Sequence, residues 1–233
     1  LNKIEYLNLL LNKQNVDFNI KRIDFKEDYN NYVDHKNISD EIDEIKQSPL
    51  IIAYEMNNKE IVKLLLQNQN VDVNSTSEKY YLTYHHDEYC SYKNETNVEK
   101  IYQKTLLHLA CEKKDVEMVM LLMLNPFIDV NIISIDSNKL SFNSQYGKRI
   151  RRCIYKKETT IKKTALIIAI ENNKIDIVNL LLSCHNIDVN FKPTSVPKEN
   201  AEYSKTALYT AVEKRNIDIV KALLMNPKID VKL

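Results

Sequence analysis

The sequence predicts an all-α solenoid of helix–turn–helix repeats, with β-hairpin-like or irregular insertions between the repeats. Three observations point there. Four segments of 27 residues, 48–74, 105–131, 164–190 and 206–232, align with one another without a gap. Within each, apolar residues recur at i, i+3 and i+4, the spacing of one buried helical stripe. Two short antiparallel helices cannot bury both faces alone, so such units must stack into a shared core.

The four copies read SPLIIAYEMNNKEIVKLLLQNQNVDVN, TLLHLACEKKDVEMVMLLMLNPFIDVN, TALIIAIENNKIDIVNLLLSCHNIDVN and TALYTAVEKRNIDIVKALLMNPKIDVK. A partial copy, EYLNLLLNKQNVDFN at 5–19, matches only the second half of the unit. The chain begins at Leu1 without a signal-peptide pattern and reads as a monomeric fragment that starts inside a repeat.

Each part of the unit has a local cause. Ser48 or Thr105 is a suitable N-cap, because its hydroxyl accepts from a free backbone N–H. Pro49 then falls at the first helical position, where a missing N–H costs little. The first helix carries its stripe at Leu107, Ala110 and Cys111, repeated as Leu166, Ala169, Ile170 and Leu208, Ala211, Val212. The small alanine lets neighbouring helices approach. A tight reversal follows at Met56-Asn57, Lys113-Lys114, Asn172-Asn173 and Lys214-Arg215. Such a reversal uses a left-handed residue, for which Asn57 and Asn173 are suited and Lys114 and Arg215 are not. Strain or a different turn is therefore expected at the latter two. A second helix (EIVKLLL, EMVMLLM, DIVNLLL or DIVKALL) leads into an extended V/I-D-V-N close.

These residues resemble the ankyrin repeats. The family's T-P-L-H-x-A signature is fullest in Thr105, Leu107, His108 and Ala110. Ile51, Ile167 and Tyr209 stand at the histidine position of the other copies. The closing A-D-V-N is similar to Val71-Asp72-Val73-Asn74, Ile128-Asp129-Val130-Asn131 and Ile187-Asp188-Val189-Asn190. The helix–helix turns lack the family's glycines, and an extra residue precedes the close, as at Asn125-Pro126 and Asn226-Pro227. The starts lie 57, 59 and 42 residues apart, against about 33 in the family. The resemblance implies an ankyrin-type α-solenoid with insertions at 20–47, 75–104, 132–163 and 191–205, where the family places a projecting finger. It also implies a non-catalytic scaffold that binds a partner protein through its concave face. The inner-helix positions facing that partner are Glu55, Met56, Glu112, Lys113, Glu171, Asn172, Glu213 and Lys214.

Three insertions have a character of their own. Segment 20–47 holds eight acidic residues against five basic ones. Its Ile38, Ile42 and Ile45 have helical spacing and predict a short extra helix before Ser48. Segment 75–104 holds Tyr80, Tyr81, Tyr84, Tyr89, Tyr92 and Tyr102. Tyrosine gives large contact area at low entropy cost, so Tyr81, Tyr89 and Tyr92 join the candidate contacts. Packing onto the solenoid or pairing across a hairpin is the preferred reading for Tyr80, Tyr84 and Tyr102. Segment 132–163 holds nine basic residues against two acidic ones. The chain's one glycine, Gly147, separates LSFNSQ from RIRRCIY and predicts a long hairpin that turns there. Arg149, Arg151 and Arg152 are candidate contacts. An alternative use of 148–157 is binding of nucleic acid or an anionic surface. A plainer reading is a solvated edge whose lysines deter strand pairing.

Composition narrows the rest. Net charge is +1, so no overall field draws the chain to nucleic acid or membrane. One glycine leaves no room for a GxGxxG or P-loop motif. No apolar run has the length of a membrane span. Cys90, Cys111, Cys153 and Cys184 are dispersed without a CxxC pair, which favours a reduced, intracellular and cytoplasmic setting. His85, His86, Asp87 and Cys90 are metal-capable, but neighbours on a strand point to opposite faces and no second pair is evident. Cys111 falls at a core position, and His108 is expected to cap or bridge backbone. Glu112, Glu171 and Glu213 are expected to face solvent. No catalytic residue, metal or cofactor is assigned.

Overall fold

The computed structural model describes residues 17, 19–29, 38–87, 92–146, 155–193 and 205–232. Four helix pairs are found at the four aligned segments: α1 (Pro49–Glu55) with α2 (Lys59–Gln67), α3 (Leu106–Glu112) with α4 (Val116–Met123), α5 (Ala165–Glu171) with α6 (Ile175–Leu182), and α7 (Ala207–Glu213) with α8 (Ile217–Leu224). Thr105, Thr164 and Thr206 open α3, α5 and α7, each accepting the backbone N–H three residues on at 3.3–3.4 Å. Ser48 occupies the same place before Pro49 but does not cap. Its hydroxyl lies 2.8 Å from Ser75 Oγ instead.

All four reversals share one conformation. Asn57, Lys114, Asn173 and Arg215 have φ of 57°, 59°, 60° and 56°. Two hydrogen bonds close each helix, as in Asp115 N to Ala110 O at 2.9 Å and Lys114 N to Cys111 O at 3.2 Å. This pair of bonds requires the left-handed residue, so the lysine and arginine adopt it rather than make a different turn. The second helices begin on side-chain caps at Asn58, Asp115 and Asn216, while Lys174 offers none.

The inner helices α1, α3, α5 and α7 stack in a row, and α4, α6 and α8 stack behind them. Ala53, Ala110, Ala169 and Ala211 sit buried at the inner contacts, and Val62, Val119 and Val178 are fully buried at the outer ones. One apolar core runs through all four units.

The V-D-V-N close has a use that its sequence did not disclose. Asp72, Asp129 and Asp188 each accept the backbone N–H two residues on, at 2.9–3.0 Å, which makes a tight turn. The asparagine then reaches into the next repeat. Asn131 Nδ2 donates to Asn186 O at 2.8 Å, and its Oδ1 accepts from Asp188 N at 2.7 Å. Asn74 and Asn190 make the same two bonds. Asn19 also does, to Asn70 O and Asp72 N. Asn19 thus occupies the place that the partial copy assigns to it; residues 1–16 and 18 of that copy lie outside the described residues.

The expected all-α class is overturned. The insertions form six antiparallel strands, β1 (Arg22–Tyr29), β2 (Ile38–Gln47), β3 (Thr76–Asp87), β4 (Tyr92–Thr105), β5 (Ile133–Tyr146) and β6 (Tyr155–Thr164), in one sheet of that order. The cause is a match of lengths. Two strands span about 9.5 Å, and packed helices step by about 8–10 Å. Successive fingers therefore meet and satisfy each other's backbone. The short helix expected at Ile38, Ile42 and Ile45 is absent, and no helix precedes Ser48 among the described residues. Ile38 and Ile42 lie in β2 opposite His86 and Leu82, so pairing on both sides of this strand outweighs a hint of helical spacing. The hairpin of 132–163 is present, with Phe142 opposite Tyr155. Its second strand starts at Tyr155, and Gly147 lies outside the described residues.

Three substitutions test these local causes by the midpoint of denaturant unfolding. Lys174→Asp supplies the missing cap and raises stability by about 1 kcal/mol. Lys114→Gly relieves the left-handed lysine and raises it by about 0.5–1 kcal/mol. Asn131→Ala removes two inter-repeat bonds and lowers it by about 1–2 kcal/mol.

Candidate functional site

The residue before each N-cap is followed eight positions later by a glutamate that ends the inner helix. The two meet at every corner. Lys104 Nζ lies 2.5 Å from Glu112 Oε1, Lys163 Nζ 2.7 Å from Glu171 Oε2 and Lys205 Nζ 2.7 Å from Glu213 Oε1. In the first repeat Gln47 Nε2 donates to Glu55 Oε2 at 2.7 Å. Lys79, from β3, adds an ion pair to Glu55 Oε1 at 3.3 Å. Partly exposed pairs stabilise by about 0–1 kcal/mol each, so their main effect is to fix where the charges sit. Glu213 is exposed, as expected from sequence, whereas Glu112 and Glu171 are half-buried.

The other inner-helix candidates follow the same row. Met56 is 75 % exposed. The Lys113 ammonium stands 4.6 Å from the Tyr54 ring centroid of the preceding repeat. Asn172 Nδ2 donates to Cys111 O at 3.3 Å, tying two repeats together. Lys214 is exposed after α7. Tyr81 lies on β3 opposite Asp43 and Lys100, and Tyr92 opens β4 opposite Tyr146. Tyr89, Arg149, Arg151 and Arg152 lie outside the described residues. Tyr80 donates to Glu78 Oε2 at 3.3 Å with Lys46 Nζ 5.2 Å from its ring, and Tyr102 has Lys104 Nζ 5.9 Å from its own. Both are half-buried in the sheet, as a packing role requires. Tyr84 pairs with Asn97 and Asp40.

Sheet and inner helices enclose a groove at each repeat junction, of about 240, 250 and 210 Å³ in turn. Corner lysines and glutamates line all three. Sequence reasoning missed the lysines, although their spacing of eight from the glutamates recurs in three copies. It also missed Asp136, on β5, in the middle groove. Burial pushes the Asp136 carboxyl upward, Glu112 adds to this, and Lys104, Lys163 and Lys100 oppose it.

The groups with reactive potential are engaged in structure. Cys111 is fully buried, and burial pushes its thiol up to about 12, so it packs as an inert core group. His108 is buried as well. Its Nε2 lies 3.0 Å from Ile132 O, which can only accept, so Nε2 carries the proton. Nδ1 accepts from the Thr105 backbone N–H at 3.2 Å and lies 2.7 Å from the Thr105 hydroxyl. The histidine caps and bridges, as its place in the repeat predicts. No group of three or more His, Cys, Asp or Glu among the described residues could hold a metal. His85, His86 and Asp87 occupy consecutive positions of β3, and Cys90 and Cys153 lie outside the described residues. No helix among those residues is long and apolar enough to cross a membrane.

Family models match most of the chain. A model of three ankyrin repeats matches residues 79–193 and again 140–233, and a model of the single ankyrin repeat matches 46–78. No curated protein and no solved structure matches.

His108 gives stability a pH dependence. Burial holds its pKa at about 4, below the ordinary 6.5. The unfolded chain therefore binds more protons between these values, and stability rises with pH across that window. The contribution is complete above about pH 6.5 and is lost as pH falls to about 4, a change of roughly 3 kcal/mol. His108→Ile, with the residue of the first and third copies, should flatten this part of a Tm-against-pH curve.

Proposed function

Because this chain belongs to the ankyrin repeat family, we propose that it is a non-catalytic scaffold holding a partner protein against its concave face and elongated fingers. Ankyrin repeats generally mediate protein–protein interaction, and that much comes with the family. The finer reading rests on one observation above all. The glutamates that end the inner helices are held by ion pairs at each corner before any partner arrives. Side chains already ordered lose little entropy on binding, so their contacts count fully toward affinity.

The surface assigned to the partner comprises Glu55, Met56, Glu112, Lys113, Glu171, Asn172, Glu213 and Lys214, with Tyr81, Tyr89 and Tyr92 of one finger and Arg149, Arg151 and Arg152 of the next. Exposed Met56 supplies adaptable apolar contact. A reduced intracellular setting belongs to the same reading, on the dispersed cysteines. The alternative, anion binding through 148–157, falls largely outside the described residues, and nothing in the described ones favours it.

The test starts from a partner captured by the intact chain. Met56→Arg combined with Lys214→Glu should weaken the complex at least about tenfold, a loss of about 1.4 kcal/mol. Met120→Arg, on the exposed side of α4, should leave it unchanged. Raising salt from 50 to 200 mM should cost a protein complex little, whereas nucleic-acid binding through many phosphates would lose about 10³-fold or more. A partner indifferent to the concave substitutions would overturn the assignment.

A further inference from the structure

The first two grooves are built from equivalent positions. Ser77, Lys79, Tyr102, Lys104, Leu109 and Glu112 line the first. Ser134, Asp136, Ile161, Lys163, Ile168 and Glu171 line the second at the matching places of the next repeat. The starts of the first two repeats are 57 residues apart, which puts Asp136 where Lys79 stands and Glu112 where Glu55 stands.

That exchange reverses a charge. In the first repeat both oxygens of Glu55 are occupied, Oε2 by Gln47 and Oε1 by the Lys79 ammonium. In the second repeat the corner residue is Lys104, which takes Glu112 Oε1. The finger position that could supply the other cation carries a carboxylate instead. Asp136 is half-buried, and no donor among the described residues hydrogen-bonds to it. The neighbouring Lys163 is already bound to Glu171 at 2.7 Å. The set Gln47, Glu55, Lys79 is neutral, whereas Lys104, Glu112, Asp136 is one cation short.

A partly desolvated carboxylate beside a second one costs free energy until a cation joins them. The burial that raises the Asp136 carboxyl is the same burial that strengthens its attraction to such a cation. We infer that the groove between the second and third repeats receives a basic side chain, arginine or lysine, of the bound protein at the place that Lys79 fills from within the chain one repeat earlier. The inference rests on the concave-face reading and gives it a chemical anchor: a partner that presents a protruding basic residue, held between Asp136 and Glu112.

Two peptides test it on the intact chain: acetyl-Ser-Gly-Arg-Gly-Ser-amide, and the same peptide with citrulline, which keeps the shape of arginine and lacks its charge. Amide resonances of 134–138 and 161–163 are followed by NMR. The arginine peptide should shift them saturably, with the citrulline peptide at least about tenfold weaker. Asp136→Lys restores the internal cation of the first groove and should abolish the response. Asp136→Asn, which keeps the size of the side chain, should weaken it severalfold and serves if the lysine variant does not fold. Equal shifts from both peptides, or an unchanged response in these variants, would sink the inference. A captured partner that is sensitive to the Met56 and Lys214 substitutions but indifferent to Asp136→Lys would also sink it, while leaving the concave-face assignment standing.

Discussion

Everything in this molecule depends on two layers advancing at the same pitch. A stacked helix pair moves the chain forward by about 8–10 Å. A hairpin occupies two strand spacings, about 9.5 Å. Had these lengths differed, long fingers would have splayed apart, each with two unpaired edges exposed. Because they agree, the facing strands of successive fingers pair, leaving only β1 and β6 as edges among the described strands, and the insertions extend the array instead of disrupting it. β2 with β3 and β4 with β5 are the pairings that make this continuous, each joining strands separated by a complete helix pair.

Cohesion between repeats is mainly apolar, and the last described repeat shows where that burial comes from. Ile167 and Ile170 are 3 % and 0 % exposed beneath their neighbours, while the equivalent Tyr209 and Val212 of the fourth unit are 56 % and 59 % exposed. The unit itself does not bury its stripe; the adjacent unit does. Polar contacts then set register. On one flank the asparagine of each close spans the gap with a donor and an acceptor at once, which neither aspartate nor leucine could do. At the other, lysine and glutamate clasp the corner where extended chain becomes helix.

The legible parts of the fold are those with short-range causes. Helix faces, threonine caps and the left-handed turn follow from spacings of three to five residues, and Lys114 and Arg215 show that the turn is fixed by its two hydrogen bonds even against side-chain preference. The antiparallel pairing of Ile133–Phe142 with Tyr155–Thr164 was legible from the alternation of the two stretches. The sheet was not, because no local pattern in 20–47 or 75–104 announces that β2 and β3 will pair. Ile38, Ile42 and Ile45 fit a helix as well as a strand in isolation, and only the neighbouring finger decides between them. Of the candidate surface, the inner-helix row was readable from repeat alignment. The corner lysines were not, since a spacing of eight across a cap is not a relation on one helix face.

Such an architecture separates what holds the chain together from what varies along it. The core positions that hold alanine, valine and leucine recur in each copy, and the asparagine bridges recur in the first three. Groove positions differ without disturbing them: Gln47 and Lys79 become Lys104 and Asp136, and the backbone at those places is unchanged in kind. In a stack where each unit touches only its neighbours, a change of charge in one groove is felt over one junction. Its energetic effect is small for the fold, because partly exposed pairs contribute little. It is larger for a visitor, because two carboxylates that share the one ammonium of Lys104 present a localised demand that neutral surface does not. Recognition can therefore be written one groove at a time on a scaffold whose stability is set elsewhere.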